Sequence, residues 1–598
     1  MENDVTPSPK SSGSRLPFLA VGALILALVA GGGYFAWQSF QSASQVTADV
    51  MPAETNVYMS MDFLGLITND YDGAARIQHA LEPFLDEIGS ESGEDTLQQS
   101  FQDEVLTPLN MTVEEDIASW VGRSVGIGLM DIAFLDDLSQ VPNTTLALEI
   151  RAGTGDQADQ FLTKLVENYP TLPDGNPMAE QTYEGVVYYV EQSEEPFVIG
   201  RAGDLMIVTS AEAGMKQAID TQQGAASLAD EASYQAVLAE LPEERIMTLY
   251  LNVGRMVEGV EPVEQQDAVQ SLLDESGITG MGAVPSPDDF SAITDICLGL
   301  LASDQALTGF GGAGFFDELG LRGQFVMTYD KDKLDANSSL STAKNNLSSG
   351  KVASTLPQET MAYIASRNMM TTYWELYQQM DADAFAEAMQ LAEETVGFNP
   401  DVALMPRMGE EFAIAVYKSD QGSIASDPTI NIDLGVAILQ EIKGESSALS
   451  AEVFQPLNTT ISDFMFLPIE TYENDGQAFY TIMNTFGEEP TPMLTYGVND
   501  EYLMFGTSLD ELTTMFGTGA KLPENPHFSA LSEQVNAADG VVQLFFDLDL
   551  ICTLSAMDQE LCRLGEHMNA FAMAGTAKET AYVGDIYLLL DEVEAAAE

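Results

Sequence analysis

Hydrophobic positions in this chain follow two patterns. Residues 16–40 (LPFLAVGALILALVAGGGYFAWQSF) run without a single charge. Beyond residue 46, apolar residues either alternate with polar ones or recur every third and fourth position. The first pattern predicts a helix that is apolar on all faces. Its most apolar part, 18–37, is about 20 residues long and spans roughly 30 Å as a helix, the thickness of a bilayer's hydrocarbon core. The second pattern predicts strands with one buried face, interspersed with amphipathic helices.

The strand and helix pattern occurs twice, with a period near 300 residues. One copy opens with Met51-Pro52-Ala53-Glu54-Thr55-Asn56-Val57-Tyr58, the other with Leu356-Pro357-Gln358-Glu359-Thr360-Met361-Ala362-Tyr363. In each, the proline ends what precedes it and a strand is expected next, over 57–63 or 362–366. Helical spacing follows over 74–88 and 372–395. A second signature then appears, Asp116-Ile117 through Gly122 and Asp401-Val402 through Gly409, each leading into alternating large and small residues. Strands at 144–150 and 432–439 are each followed by a helix. Meanders begin at 185–190 and 477–483. The pairs Thr209-Ser210 and Thr507-Ser508 precede acids, as helix N-caps do. Helices at 211–220 and 509–516 come next, then further helices starting near Tyr234 and Phe528. Strands at 246–253 and 541–548 follow. Two more strands close each copy, at 309–316 and 320–329 or 576–583 and 584–590. Short turns between strands and unevenly inserted helices predict an α+β fold of antiparallel sheets with helices on one face. The expected organisation is a polar tail at 1–15, a transmembrane helix at 16–40, a first α+β repeat at 47–332, a linker at 333–351 and a second repeat at 352–598.

Charge gives the first helix a direction. Lys10 and Arg15 precede it, and no Lys or Arg follows until Arg76. By the positive-inside rule the N-terminus is then cytoplasmic and the body extracytoplasmic, with the bilayer as partner through 16–40. A cleaved signal peptide has the same polarity, and Ser42-Ala43-Ser44 offers a cleavage site, but the apolar run is longer than such a signal needs. The whole chain carries 94 acids against 22 bases, a formal net charge of −72. That surface repels phosphate backbones, so nucleic acid is excluded as a partner. The acids are spread along the chain, which reads as a solvated surface adapted to salty surroundings, and added salt is expected to stabilise it by screening.

Candidate chemistry is sparse. Gly122-Arg123-Ser124-Val125-Gly126 fits the serine-hydrolase elbow literally, but a strand is expected after it where the elbow requires a helix. Gly309-Phe310-Gly311-Gly312-Ala313-Gly314 fits a dinucleotide fingerprint, again with strand following. Asp70-Tyr71-Asp72-Gly73 resembles part of a calcium loop, with His79 standing where the bidentate Glu belongs. The three histidines, His79, His527 and His567, are far apart in sequence and form no zinc motif. Cys552 and Cys562 are close enough to pair, leaving Cys297; three small buried hydrophobes are the other reading. No catalytic, cofactor or metal residue is assigned.

The Pro-x-Glu-Thr opening and the Asp-(Ile/Val) to Gly strand signature, each present twice, resemble those of a bacterial family catalogued as domain of unknown function 3352. The resemblance covers most of 47–598 and implies one N-terminal apolar helix with a long extracytoplasmic region. It implies no active site. Three functions fit the sequence: a membrane-tethered binding module with two related lobes, an extracytoplasmic hydrolase or metal-dependent enzyme, and a structural spacer of the envelope.

Overall fold

A computed structural model describes residues 45–62, 106–130, 143–256 and 306–591, less short internal stretches such as 375–381, 424–432 and 553–561. The expected anchor at 16–40, the tail before it and the helix at 74–88 lie outside the described residues. Among the described residues no helix is long and apolar enough to cross a membrane. The fold is α+β, and its described strand pairs are antiparallel. The chain divides into two compact units, residues 1–74, 85–259 and 309–315 in the first and 75–84, 260–308 and 316–598 in the second.

The first unit contains strands β1 (Val57–Asp62), β2 (Val121–Met130), β3 (Asn143–Ile150), β4 (Met178–Tyr183), β5 (Val186–Glu191), β6 (Val198–Ala202), β7 (Leu205–Thr209), β8 (Met247–Leu251) and most of β9 (Leu307–Phe316). Their order is β4-β5-β6-β7-β3-β2-β1-β8-β9, antiparallel throughout. Helix α1 (Gly155–Asn168) turns Phe161, Leu162 and Leu165 onto Trp120, Val125, Leu146 and Leu148. Helices α2 (Glu212–Gln222) and α3 (Ala232–Leu238) cover the other face, where Gly214 approaches Thr209 and Val237 lies over Gly311. The expected single covered face is therefore corrected to two. The cause is visible in β7, whose five residues are all buried, as in strands sandwiched between layers.

The second unit contains β10 (Gly320–Tyr329), β11 (Thr360–Arg367), β12 (Met408–Ser423), β13 (Asp433–Ile442), β14 (Ile469–Asn474), β15 (Gln477–Asn484), β16 (Thr491–Val498), β17 (Tyr502–Gly506), β18 (Val541–Asp547), β19 (Met568–Ala577) and β20 (Ala581–Leu590). Their order is β14-β15-β16-β17-β13-β12-β11-β18-β19-β20-β10. Up to β19 this repeats the order of the first unit. Helices α4 (Ala382–Val396), α5 (Gln455–Phe464), α6 (Pro526–Ala537) and α7 (Leu548–Cys552) complete the unit's longer helices.

Both signature glycines have the same geometric cause. Pairing slips between Val121 and Val125 on β2 and between Met408 and Phe412 on β12, a bulge in each strand. A glutamate from the neighbouring strand lies across each bulge. Glu149 accepts the Ser124 N–H at 2.9 Å, and Glu441 accepts those of Glu410 and Glu411 at 3.0 and 3.3 Å. A Cβ on Gly122 would stand 2.7 Å from Glu149 Cγ, and one on Gly409 2.6 Å from Glu441 Cγ. The Thr-Ser pair, by contrast, does not cap: Ala211 is the N-cap of α2, Thr209 Oγ1 donates to the Ala211 carbonyl, and Ser210 Oγ accepts from Thr144. The pair is occupied in joining strand to loop.

Candidate functional site

On the face opposite α1, each unit stacks three aromatic rings. Strand register sets Tyr58 of β1 beside Gly128 and Tyr250, and Tyr363 of β11 beside Ala415 and Phe545. The small residues leave room for the ring and for the segment before the strand; a Cβ on Gly126 would meet Thr47 Oγ1 at 2.5 Å and one on Gly128 Met51 Sδ at 2.6 Å. A helix supplies the third ring. Tyr234 lies edge-on to Tyr58 and Tyr250 at centroid distances of 5.8 and 5.1 Å. Phe528 does the same to Tyr363 and Phe545 at 6.2 and 5.2 Å. Edge-to-face rings at these distances attract beyond the area they bury.

The two units differ in what surrounds this stack. In the first, all three rings are tyrosines. Tyr58 Oη lies 2.8 Å from Thr47 Oγ1, which is 3.3 Å from Ser124 Oγ. Tyr250 Oη contacts Ser233 Oγ and donates to Glu231 at 3.3 Å. Arg245, only 6% exposed, donates to Thr248 Oγ1 at 2.8 Å and to the Pro242 carbonyl. Among the described residues no carboxylate reaches ion-pair distance of its guanidinium. Burial pushes the Tyr58 and Tyr234 hydroxyls up in pKa and pulls Arg245 down.

In the second unit the polar groups sit elsewhere. Glu411, at the position of Ser124, is 3% exposed and accepts from Ser348 Oγ at 2.7 Å and the Ser349 N–H at 2.8 Å, with Arg367 Nε at 3.6 Å. The stretch expected as a linker thus supplies donors to a buried carboxylate. At the start of the third-ring helix, an acid and an amide exchange places between units. Glu231 caps α3 through the Tyr234 N–H while Asn252 accepts from the Arg255 N–H. Asn525 caps α6 through the Phe528 N–H while Asp547 accepts from the Leu550 N–H. Asp547 also accepts from Asn525 at 2.9 Å and faces His527 Nδ1 at 3.3 Å.

The hydrogen bond to Asp547 raises the pKa of His527 above its ordinary 6.5, aided by the charges of Asp547, Asp549 and Asp591 against the opposing effect of burial. Burial alone would raise Asp547, but His527, Asn525 and the Leu550 N–H together bring it below its ordinary value. The charged histidine therefore stabilises the fold fully below about pH 6.5, and that stabilisation fades as pH rises through the higher folded pKa. The ionised Asp547 stabilises above about pH 4 and fails as pH falls through its lower folded pKa. His527→Gln is expected to cost about 1 kcal/mol in urea unfolding near pH 5.5 and clearly less near pH 9. An equal cost at both values would rule out the charged pair.

Beside Phe528 the second unit opens into a cleft of about 520 Å³. One wall is Ser529, Ser532, Glu533 and Asn536 of α6; the other is Ser349, Gly350, Ala353 and Ser354. Pro523, Phe528, Val541 and Val542 complete the lining. The corresponding helix in the first unit presents Gln235, Leu238, Ala239 and, beyond its end, Pro242 instead.

The motifs found in sequence fall mostly outside these features. Ser124 lies inside β2, fully buried, so the elbow turn is absent. The glycines at 309–314 lie in β9, with no helix after them to hold a pyrophosphate. The Asp70–Gly73 stretch, His79 and Cys297 are outside the described residues. His567 pairs with Asp591 at 3.4 Å. Cys552 and Cys562 form a disulfide with Cα atoms 5.4 Å apart. Among the described residues no three His, Cys, Asp or Glu side chains converge as a metal site. Neither the tyrosine stack nor the cleft was legible in sequence, since tyrosines and serines carry no motif; a comparison of the two repeats at Tyr58, Tyr234 and Tyr250 is the one signal that could have flagged the stack.

The profile of a family described as "Protein of unknown function (DUF3352)" matches residues 19–579. No curated protein matches the chain. Among solved structures, crystal form III of TP0453 is similar at 10% identity over 50% of this chain and 86% of that one, with a TM-score of 0.23. Crystal form I gives 8% identity over 52% and 88%, with a TM-score of 0.23. Crystal form IV gives 9% over 47% and 79%, with a TM-score of 0.21.

Proposed function

Because the chain belongs to the DUF3352 family, whose description names no activity, we propose its role from its own build: a single-pass membrane-anchored extracytoplasmic binding module made of two tandem related α+β lobes. The uncharged run at 16–40, with basic residues only on its N-terminal side for many positions, carries the reading. The disulfide between Cys552 and Cys562 supports an oxidising compartment. The shared strand order of the two units and their matched aromatic stacks support the duplication. The cleft beside Phe528, with its many hydroxyls, supports binding over catalysis.

Protease added to intact cells is expected to digest the C-terminal body and leave a short N-terminal fragment with the membrane. A body that stays whole until the cells are opened would place it in the cytoplasm and end the proposal.

A further inference from the structure

We propose that the cleft between α6 and the 349–354 segment is a binding site for a neutral mono- or disaccharide, an inference that rests on the binding-module reading. Ser529, Ser532, Glu533 and Asn536 stand at helical spacings of three and four and so share one stripe of α6. Leu531 and Val535 on the opposite side of the helix are buried in the core, which fixes the stripe toward the cleft. Among the described residues none accepts from or donates to any of the four stripe side chains. Glu411 holds the facing wall by taking the Ser349 N–H, and Gly350 follows with φ of 76°, where an added Cβ would stand 3.0 Å from Val541 Cγ1. Both walls are therefore set before a ligand arrives.

The lining selects the ligand's chemistry. Hydroxyl and amide groups both donate and accept, and Glu533 accepts, which suits a molecule dense in hydroxyls. Phe528, Pro523, Val541 and Val542 offer an apolar surface for the C–H face of a sugar ring. Among the described residues no Lys or Arg lines the cleft, so an anion would enter an acidic body without a counter-charge. A cation would find one exposed carboxylate, a weak partner in water. The volume of about 520 Å³ lies within the range of small-molecule sites.

The test uses the full chain in phospholipid nanodiscs, free of glycoside detergent. Saturation-transfer NMR is run with a panel of neutral, acidic and amino mono- and disaccharides and a basic peptide. At least one neutral sugar is expected to receive saturation. Ser532→Leu, which fills the cleft, and Glu533→Gln, which changes one exposed group without threatening the fold, should each weaken its binding tenfold or more. No neutral sugar bound, binding unaffected by both variants, or saturation only of the peptide or of acidic sugars would each overturn the assignment. Native mass spectrometry on the same nanodiscs separates the two levels. A co-purifying ligand indifferent to both variants removes this cleft but keeps the binding module, whereas a chain that binds nothing removes both.

Discussion

Replacing Trp120 with alanine is expected to lower the stability of the first unit by about 4 kcal/mol. The indole is wholly buried, and its Nε1 donates to the Asp116 carbonyl at 2.6 Å. Its ring lies 5.1 Å from that of Phe161 on α1, within the cluster that includes Leu106, Val113, Ile117 and Leu165. Its own carbonyl accepts from the Arg151 N–H at 2.7 Å, so the backbone here is tied to the end of β3. Truncation leaves a cavity at the point where α1, the helical turn Val113–Ile117 and the sheet meet. Urea unfolding followed by circular dichroism measures the loss, and Trp120→Phe should recover more than half of it. A loss below about 1 kcal/mol would mean that the cluster is not what holds α1 to the sheet.

Glu411→Ala should cost the second unit about 3 kcal/mol. The carboxylate is the acceptor for the Ser348 hydroxyl and the Ser349 N–H, and it lies near the Arg367 guanidinium. Alanine leaves the buried Ser348 hydroxyl and the part-buried Ser349 N–H without this acceptor, which costs more than the bonds themselves contributed. Glu411→Gln keeps an acceptor oxygen and should lose about half as much. Because the same residue fixes the 349–354 wall, hydrogen exchange at Ser349 and Gly350 should accelerate in the alanine variant. Unchanged exchange there would show that the loop is held by something else.

Strand positions were readable where one or both faces are apolar, as at β1, β2, β7, β11, β13 and β18. Missed were β4 and β14, Met178–Tyr183 and Ile469–Asn474, which lie at sheet edges and contain Glu180, Gln181, Glu470 and Glu473. Polar edge strands discourage further pairing and therefore lack the alternation that reveals a strand. The bulges were invisible for a related reason: the glycine shows in the sequence, but the glutamate that requires it comes from the next strand. The tryptophans show how position and role separate. Trp120 follows Asp116 by four residues and binds its carbonyl, whereas Trp374 precedes Asp401 by twenty-seven and binds its carboxylate at 2.9 Å. Repeat alignment finds the aspartates but not their partners. The cleft depends on a helix in the second unit that outlasts its counterpart, Pro526–Ala537 against Ala232–Leu238, and helix ends are poorly marked where no cap residue stands.

Strand β20 is the last of the described strands in sequence, yet it lies between β19 and β10 and pairs with both. A growing polypeptide therefore makes the other described strands before it makes the strand that joins these two. A premature stop before codon 581 would leave two long rows of backbone donors and acceptors facing solvent or a neighbouring chain. The burial of those two rows would then rest on a single strand, Ala581–Leu590.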